Sequence, residues 1–131
     1  MPSFWAKLIS GGKNVHYQVN GNLEPGDYLD WSPLIEVGPE DDLRLDSLVY
    51  ALSDKLEVLL AWDKEGGGEP HVFLPINGRG TLSFDTLNGI RNTVGDGRTG
   101  HVLISAYPTA PHPHRQHFTL MLDFSKQRKA P

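Results

Sequence analysis

Three times an apolar stretch is followed by a turn, and the returning segment opens on or beside a histidine: Val15-His16-Tyr17-Gln18-Val19, His71-Val72-Phe73-Leu74 and His117-Phe118-Thr119-Leu120-Met121. Successive side chains on a strand point to opposite faces, so parity assigns each residue a side. In all three the larger apolar set (Val15, Tyr17, Val19; Val72, Leu74, Ile76; Phe118, Leu120, Leu122) excludes the histidine. The pattern predicts an antiparallel sheet with one hydrocarbon face and one face of histidine, aromatic and small polar groups.

Each of these strands has an expected neighbour. Residues 4–10 precede Gly11-Gly12-Lys13-Asn14, a hairpin signal. Residues 57–63, with Val58, Leu60 and Trp62 on the core side, precede the glycine-rich turn 64–70. Residues 101–107 pair with 116–124, and residues 20–38 read as a surface loop with a short extended piece at 34–37.

Two stretches carry helical signals. Pro39 suits a first helical position, Glu40, Asp41 and Asp42 sit where the helix dipole favours acids, and Leu45, Leu48, Val49, Leu52 and Leu56 recur at helical spacing. Over 83–94, Ser83 is a candidate N-cap, and Phe84, Leu87, Ile90 and Val94 form a stripe. The expected fold class is α+β: an antiparallel sheet of about six strands, ββ-αββ-αββ, with two helices packed on one face. The whole of 1–131 reads as one domain, with 125–131 a flexible tail.

Composition narrows the function classes. No apolar run approaches the roughly 18 residues of a membrane span, and the first residues lack the layout of a secretory signal. Cysteine is absent, which removes disulfides and thiolate chemistry and favours a cytoplasmic setting. The net charge of −4 is unevenly spread: residues 24–54 hold nine acids against Arg44 alone, whereas residues 98–131 hold five bases against Asp123. Either the two regions attract each other within the fold, or the acidic one faces a basic partner. Nucleic acid is disfavoured as a partner, because the chain lacks a phosphate-neutralising stripe.

The candidate chemistry is histidine-based. Residues 107–117 hold His112, His114 and His117 in a proline-rich loop, a pattern that suits a three-histidine site for zinc or another divalent metal. No other cofactor is implied. This loop carries the alternative reading of a histidine-dependent hydrolase or metal-binding enzyme. His117-Phe118-Thr119-Leu120 resembles one signature of the two-histidine phosphoesterases, which need two; His71-Val72-Phe73 and His101-Val102-Leu103 lack the hydroxyl residue. Residues 77–83 link a strand to an expected helix N-terminus, a place where an anion could sit.

The non-core face is the broadest candidate. Parity assigns it Trp5, Lys7, His16, Gln18, Glu57, Leu59, Asp63, His71, Phe73, His101, Leu103, Ser105, Tyr107, His117, Thr119 and Met121. That mixture is too apolar for a fully wet surface and suits a protein partner or a homodimer built through the open sheet, unless Tyr28 and Trp31 fold over it. Residues 46–73, with Asp46-Ser47-Leu48-Val49, the acidic glycine turn and Pro70, resemble small bacterial immunity proteins of polymorphic toxin systems. The resemblance implies a cytoplasmic, toxin-neutralising inhibitor with no catalytic residues. The function expected is a non-enzymatic protein-binding module, with Glu40, Asp41, Asp42, His71, Phe73, Tyr107 and His117 as contact residues and no membrane association.

Overall fold

Among the described residues no helix forms; ten antiparallel strands do. The computed structural model describes residues 3–10, 14–37, 41–64, 69–84, 89–92, 94, 98–110 and 114–128. In chain order the strands are β1 (Ser3–Ser10), β2 (Asn14–Leu23), β3 (Leu29–Ile35), β4 (Asp41–Leu52), β5 (Leu56–Lys64), β6 (His71–Asn77), β7 (Arg79–Ser83), β8 (Ile90–Arg91), β9 (Arg98–Pro108) and β10 (Gln116–Arg128). The α+β expectation, with two helices over one sheet of six strands, is therefore corrected to an all-β fold of two sheets.

The first expected helix is β4, and a β-bulge explains the misreading. β10 pairs Asp123 with Ser47 but Phe124 with Leu45, so Asp46 is an extra residue on β4. Before the bulge Leu43 and Leu45 face inward; after it Leu48, Tyr50 and Leu52 do. One inserted residue turns a period of two into the spacing 45, 48, 52, which imitates a helical stripe. Val49, which a helix would bury, is 49% exposed. In the second expected helix, Ser83 ends β7 and residues 90–91 form β8, while 85–88 lie outside the described residues. On either side of them, the Gly89 amide donates to the Phe84 carbonyl at 2.8 Å.

Sheet A has the order β1-β2-β10-β4-β7, with β8 also on β4; sheet B has the order β3-β9-β5-β6. The strands β2, β10, β4 and β7 connect directly to β3, β9, β5 and β6, in the same order across each sheet. All four corners lie at one end, because Leu23 pairs with Gln116, Phe118 with Leu52 and Ala51 with Arg79 in sheet A. This winding is that of a jelly roll. Backbone bonds tie the corners together: Leu52 N to Gly78 O, 2.8 Å, Ser53 N to His117 O, 2.9 Å, and Thr109 N to Lys55 O, 2.8 Å. β1 alone is joined to no strand of sheet B, and the expected loop at 20–38 is largely the end of β2 and all of β3. β10 runs past Ser125, the expected start of the tail, to Arg128.

The core is the seam between the sheets. Val15, Val19, Leu45, Leu48, Phe118, Leu120 and Leu122 of sheet A meet Val58, Leu60, Trp62, Val102 and Ile104 of sheet B, all buried. The inward parity expected for β2, β5 and β10 is thus observed. One position is set by close approach rather than by volume. Gly21 pairs with Phe118 on one side and Phe4 on the other, and a Cβ at Gly21 would overlap the Phe118 ring. A strand glycine here makes room for an aromatic neighbour. Gly21→Ala is expected to destabilise the fold by about 1–3 kcal/mol. Phe118→Leu placed in the same chain should recover part of that loss, whereas additive losses in chemical denaturation would show that the two residues do not share this space.

Candidate protein-binding face

The outer face of sheet A is a lattice of side chains whose rows are set by strand register. One row runs Asn22, His117; the next Trp5, Asn20, Thr119, Ala51, Arg79; the next Lys7, Gln18, Met121, Val49, Thr81; the last His16, Asp123, Ser47, Ser83. Cross-strand neighbours on one face lie about 4.5–5.5 Å apart at Cβ, and here the polar ones bond to each other. The His117 ring nitrogen Nδ1 meets Asn22 Oδ1, and Thr119 Oγ1 donates to Asn20 Oδ1 at 2.7 Å. Asp123 receives His16 Nδ1 on one carboxylate oxygen and Ser47 Oγ, 2.8 Å, on the other. At the bulge, Arg44 Nε donates to Asp46 Oδ1 at 2.7 Å, and Ser125 Oγ donates to Asp46 Oδ2.

Between these polar rows the apolar residues are left presented to solvent. Met121 and Val49 are direct cross-strand partners and are 38% and 49% exposed; Trp5, one row away, is 50% exposed. Exposed Lys7 and Arg79 stand on either side. Val49 was missed as a surface residue because a helix was expected where β4 lies, and Thr81 because residues 77–83 were expected to link a strand to a helix rather than to form β7. The signal that could have found Val49 is its parity with Ala51, once the bulge at Asp46 is allowed for.

The remaining predicted contact residues are dispersed. The histidine-bearing returns do not share one layer: His16 and His117 lie on the outer face of sheet A, His71 at the edge of sheet B. Tyr107, on the outer face of sheet B, pairs with Glu57 and donates to its Oε1 at 2.7 Å. Phe73 is not on the outer face. β5 pairs Leu60 with Leu74 but Ala61 with Val72, so Phe73 is a bulged residue, and its ring stacks on buried Trp62 at 4.1 Å between centroids. The same bulge turns Val72, expected in the core, outward to solvent. Asp41 and Asp42 open β4, where their backbone pairs with Arg128 and Gln127 of β10. The acidic run and the basic end of the chain therefore lie on adjacent strands, and Arg115 pairs with Glu24 at the corner end. Glu40 lies outside the described residues. Tyr28 is exposed and leaves the outer face of sheet A uncovered.

The geometry bears on the catalytic alternatives. Ser47, Asp123 and His16 are aligned, but the carboxylate sits in the middle, so the imidazole takes no proton from the serine; a nucleophilic triad needs the histidine there. His101 accepts the Val37 amide at Nδ1, 3.0 Å, and belongs to sheet B, so no second histidine motif faces His117. Among the described residues no helix N-terminus follows 77–83; Gly78 makes the β6–β7 corner at φ +75°. Among the described residues no three of His, Asp and Glu converge where a metal could be held. His112 lies outside them. His114 lines a corner cleft of about 400 Å³ with Glu24, Asp27 and Gln116, and His117 is held by Asn22.

No known protein family and no curated protein matches the chain.

The Tyr107 phenol is held above its ordinary pKa of 10.0, first by the hydrogen bond to Glu57, then by burial and the carboxylate charge. A raised phenol pKa stabilises the fold while the proton is present and ceases to as pH rises through the folded value. Tyr107→Phe is therefore expected to remove a late-ionising phenol from the alkaline titration curve. It should also lessen the fall in stability above about pH 10; an unchanged alkaline limb in denaturation at several pH values would count against the Tyr107–Glu57 bond.

Proposed function

We propose that the chain is a protein-binding module without a catalytic role, and that its partner docks on the outer face of sheet A. The observation that carries this reading is the Met121–Val49 pair, exposed in the middle of a sheet face whose neighbouring polar side chains are bonded to one another. Exposed apolar clusters rimmed by polar groups mark interaction sites, and methionine and aromatic residues are enriched at interface centres. The outer face of sheet B offers no comparable cluster: among the described residues its large exposed apolar side chain is Val72, on the edge strand.

The chemistry of the face indicates what docks there. Lys7 and Arg79 flank the apolar pair, while the acids of the opposite rows, Asp123 and Asp46, already receive donors from Ser47, His16, Arg44 and Ser125. A partner segment with an apolar anchor and flanking carboxylates fits this arrangement. Asp41 and Asp42 are weaker candidates for contact, since they open β4 at the end away from Val49. A toxin-neutralising role remains one form that such binding could take, although residues 46–73 fold as β4, β5 and β6 rather than as a helix and hairpin.

The test pairs affinity capture with cross-link mapping. Partners retained by the wild-type chain and lost from a Met121→Asp, Val49→Asp variant should cross-link to β4 and β10, with affinity reduced about 30-fold or more, as for an interface hot spot. Circular dichroism should show both chains equally folded. Cross-links mapping to sheet B or to the corner cleft, or equal binding by the folded variant, would overturn the assignment.

A further inference from the structure

We propose that the chain also self-associates, β1 pairing antiparallel with β1 of a second copy about a two-fold axis at Ala6. An open edge strand presents unpaired amides and carbonyls, and proteins blunt such edges with proline, bulges or brevity. Three edges of this molecule are blunted so. β3 contains Pro33; β6 contains Pro75 and the Phe73 bulge; β7 has five residues, one of them Gly80. β1 has eight residues without proline or glycine, and its one irregularity lies at the far end, between Leu8 and Ser10.

β1 also lacks cover. It is the surplus strand of sheet A, so its core-side face extends past sheet B: Ala6 is exposed there and Leu8 is 50% exposed. On the opposite face Trp5 is equally open. Both faces of one edge strand thus carry uncovered hydrocarbon, which a continuing strand would cover on each side.

The occupant is indicated by self-complementarity. A two-fold axis perpendicular to the sheet keeps the outer faces together, so only residues of equal parity can lie opposite each other. Centred on Ala6, the pairing sets Trp5 against the second copy's Lys7 on the outer face, an ammonium beside an indole. On the inner face it sets Phe4 against the second copy's Leu8. Centred on Lys7, it would oppose two ammonium groups; centred on Trp5, it would separate Phe4 from Leu8. One register satisfies both faces, and it is its own complement. Single-strand contact is a small interface, so the dimer should be weak and concentration-dependent.

The chain has no cysteine, which makes the register directly readable. Opposite residues lie about 4.5–5.5 Å apart at Cα, within disulfide range, whereas the two Leu8 positions would be about 14 Å apart. Ala6→Cys is expected to form a disulfide-linked dimer under mild oxidation, and Leu8→Cys to form no such link. In sedimentation up to roughly 300 μM the wild-type chain should dimerise. Trp5→Lys, which opposes like charges, should weaken that dimer at least about tenfold. Trp5→Glu, which faces Lys7, should preserve it. A wild-type monomer throughout this range, equal cross-linking of the two cysteine variants, or equal behaviour of the two Trp5 variants would each overturn the proposal. The edge and the Met121–Val49 face are separate surfaces, so either result leaves the other reading standing.

Discussion

The burial of two sheet faces against each other is the constraint from which the other features follow. A strand that alternates apolar and polar residues must hide one side, and this chain forms no helix among its described residues to cover it. The solution is to fold successive strands over at corners. β2, β4, β6 and β9 each end at the same edge of the seam and return in the opposite sheet as β3, β5, β7 and β10. Each corner therefore delivers one more inward row to the core. The backbone bonds at Leu52, Ser53 and Thr109 join one corner to the next, so the turns themselves form a hydrogen-bonded end wall.

Parity read from sequence holds wherever the ladder is regular and fails where it is bulged. The inward sides of β2, β5, β9 and β10 were legible because Val15 to Val19, Val58 to Trp62, Val102 to Ala106 and Phe118 to Leu122 contain no inserted residue, so every second position turns to the core. Asp46 and Phe73 each add a residue that no partner strand matches. At Asp46 the addition converts strand spacing into apparent helical spacing, and the neighbouring acids and Pro39 then read as a helix start. At Phe73 it exchanges the expected sides of Val72 and Phe73. A bulge depends on the register of two strands distant in sequence, so one strand's own residues hold little sign of it. The count of sheets was illegible for a related reason: alternation marks a hidden side without saying what hides it.

The proposed binding face follows from the same lattice. Asn20, Asn22, Thr119, His117, Asp123 and Ser47 sit on rows where register places a donor beside an acceptor, and their mutual bonds order the surface around Met121 and Val49. An apolar pair held among ordered polar neighbours loses little side-chain freedom when a partner covers it, and less ordering cost leaves more net affinity. The same satisfaction argues against catalysis on this face, since the Asp123 carboxylate accepts from both the hydroxyl and the imidazole and leaves neither activating the other. The architecture alone decides nothing here, because jelly rolls serve many unrelated functions.

Charge fits this division of labour. The acidic run and the basic C-terminal region look in sequence like two surfaces awaiting different partners. The fold instead sets Asp41 and Asp42 beside the end of β10, and Glu24 against Arg115. Screening and side-chain entropy make an exposed pair such as Glu24–Arg115 individually weak, yet an acid that already has a basic partner gains less from a second one. The proposed recognition then falls to surfaces where hydrocarbon, rather than charge, is unmatched. In this molecule those are the middle of sheet A and the edge beyond it, where β1 has no counterpart in sheet B.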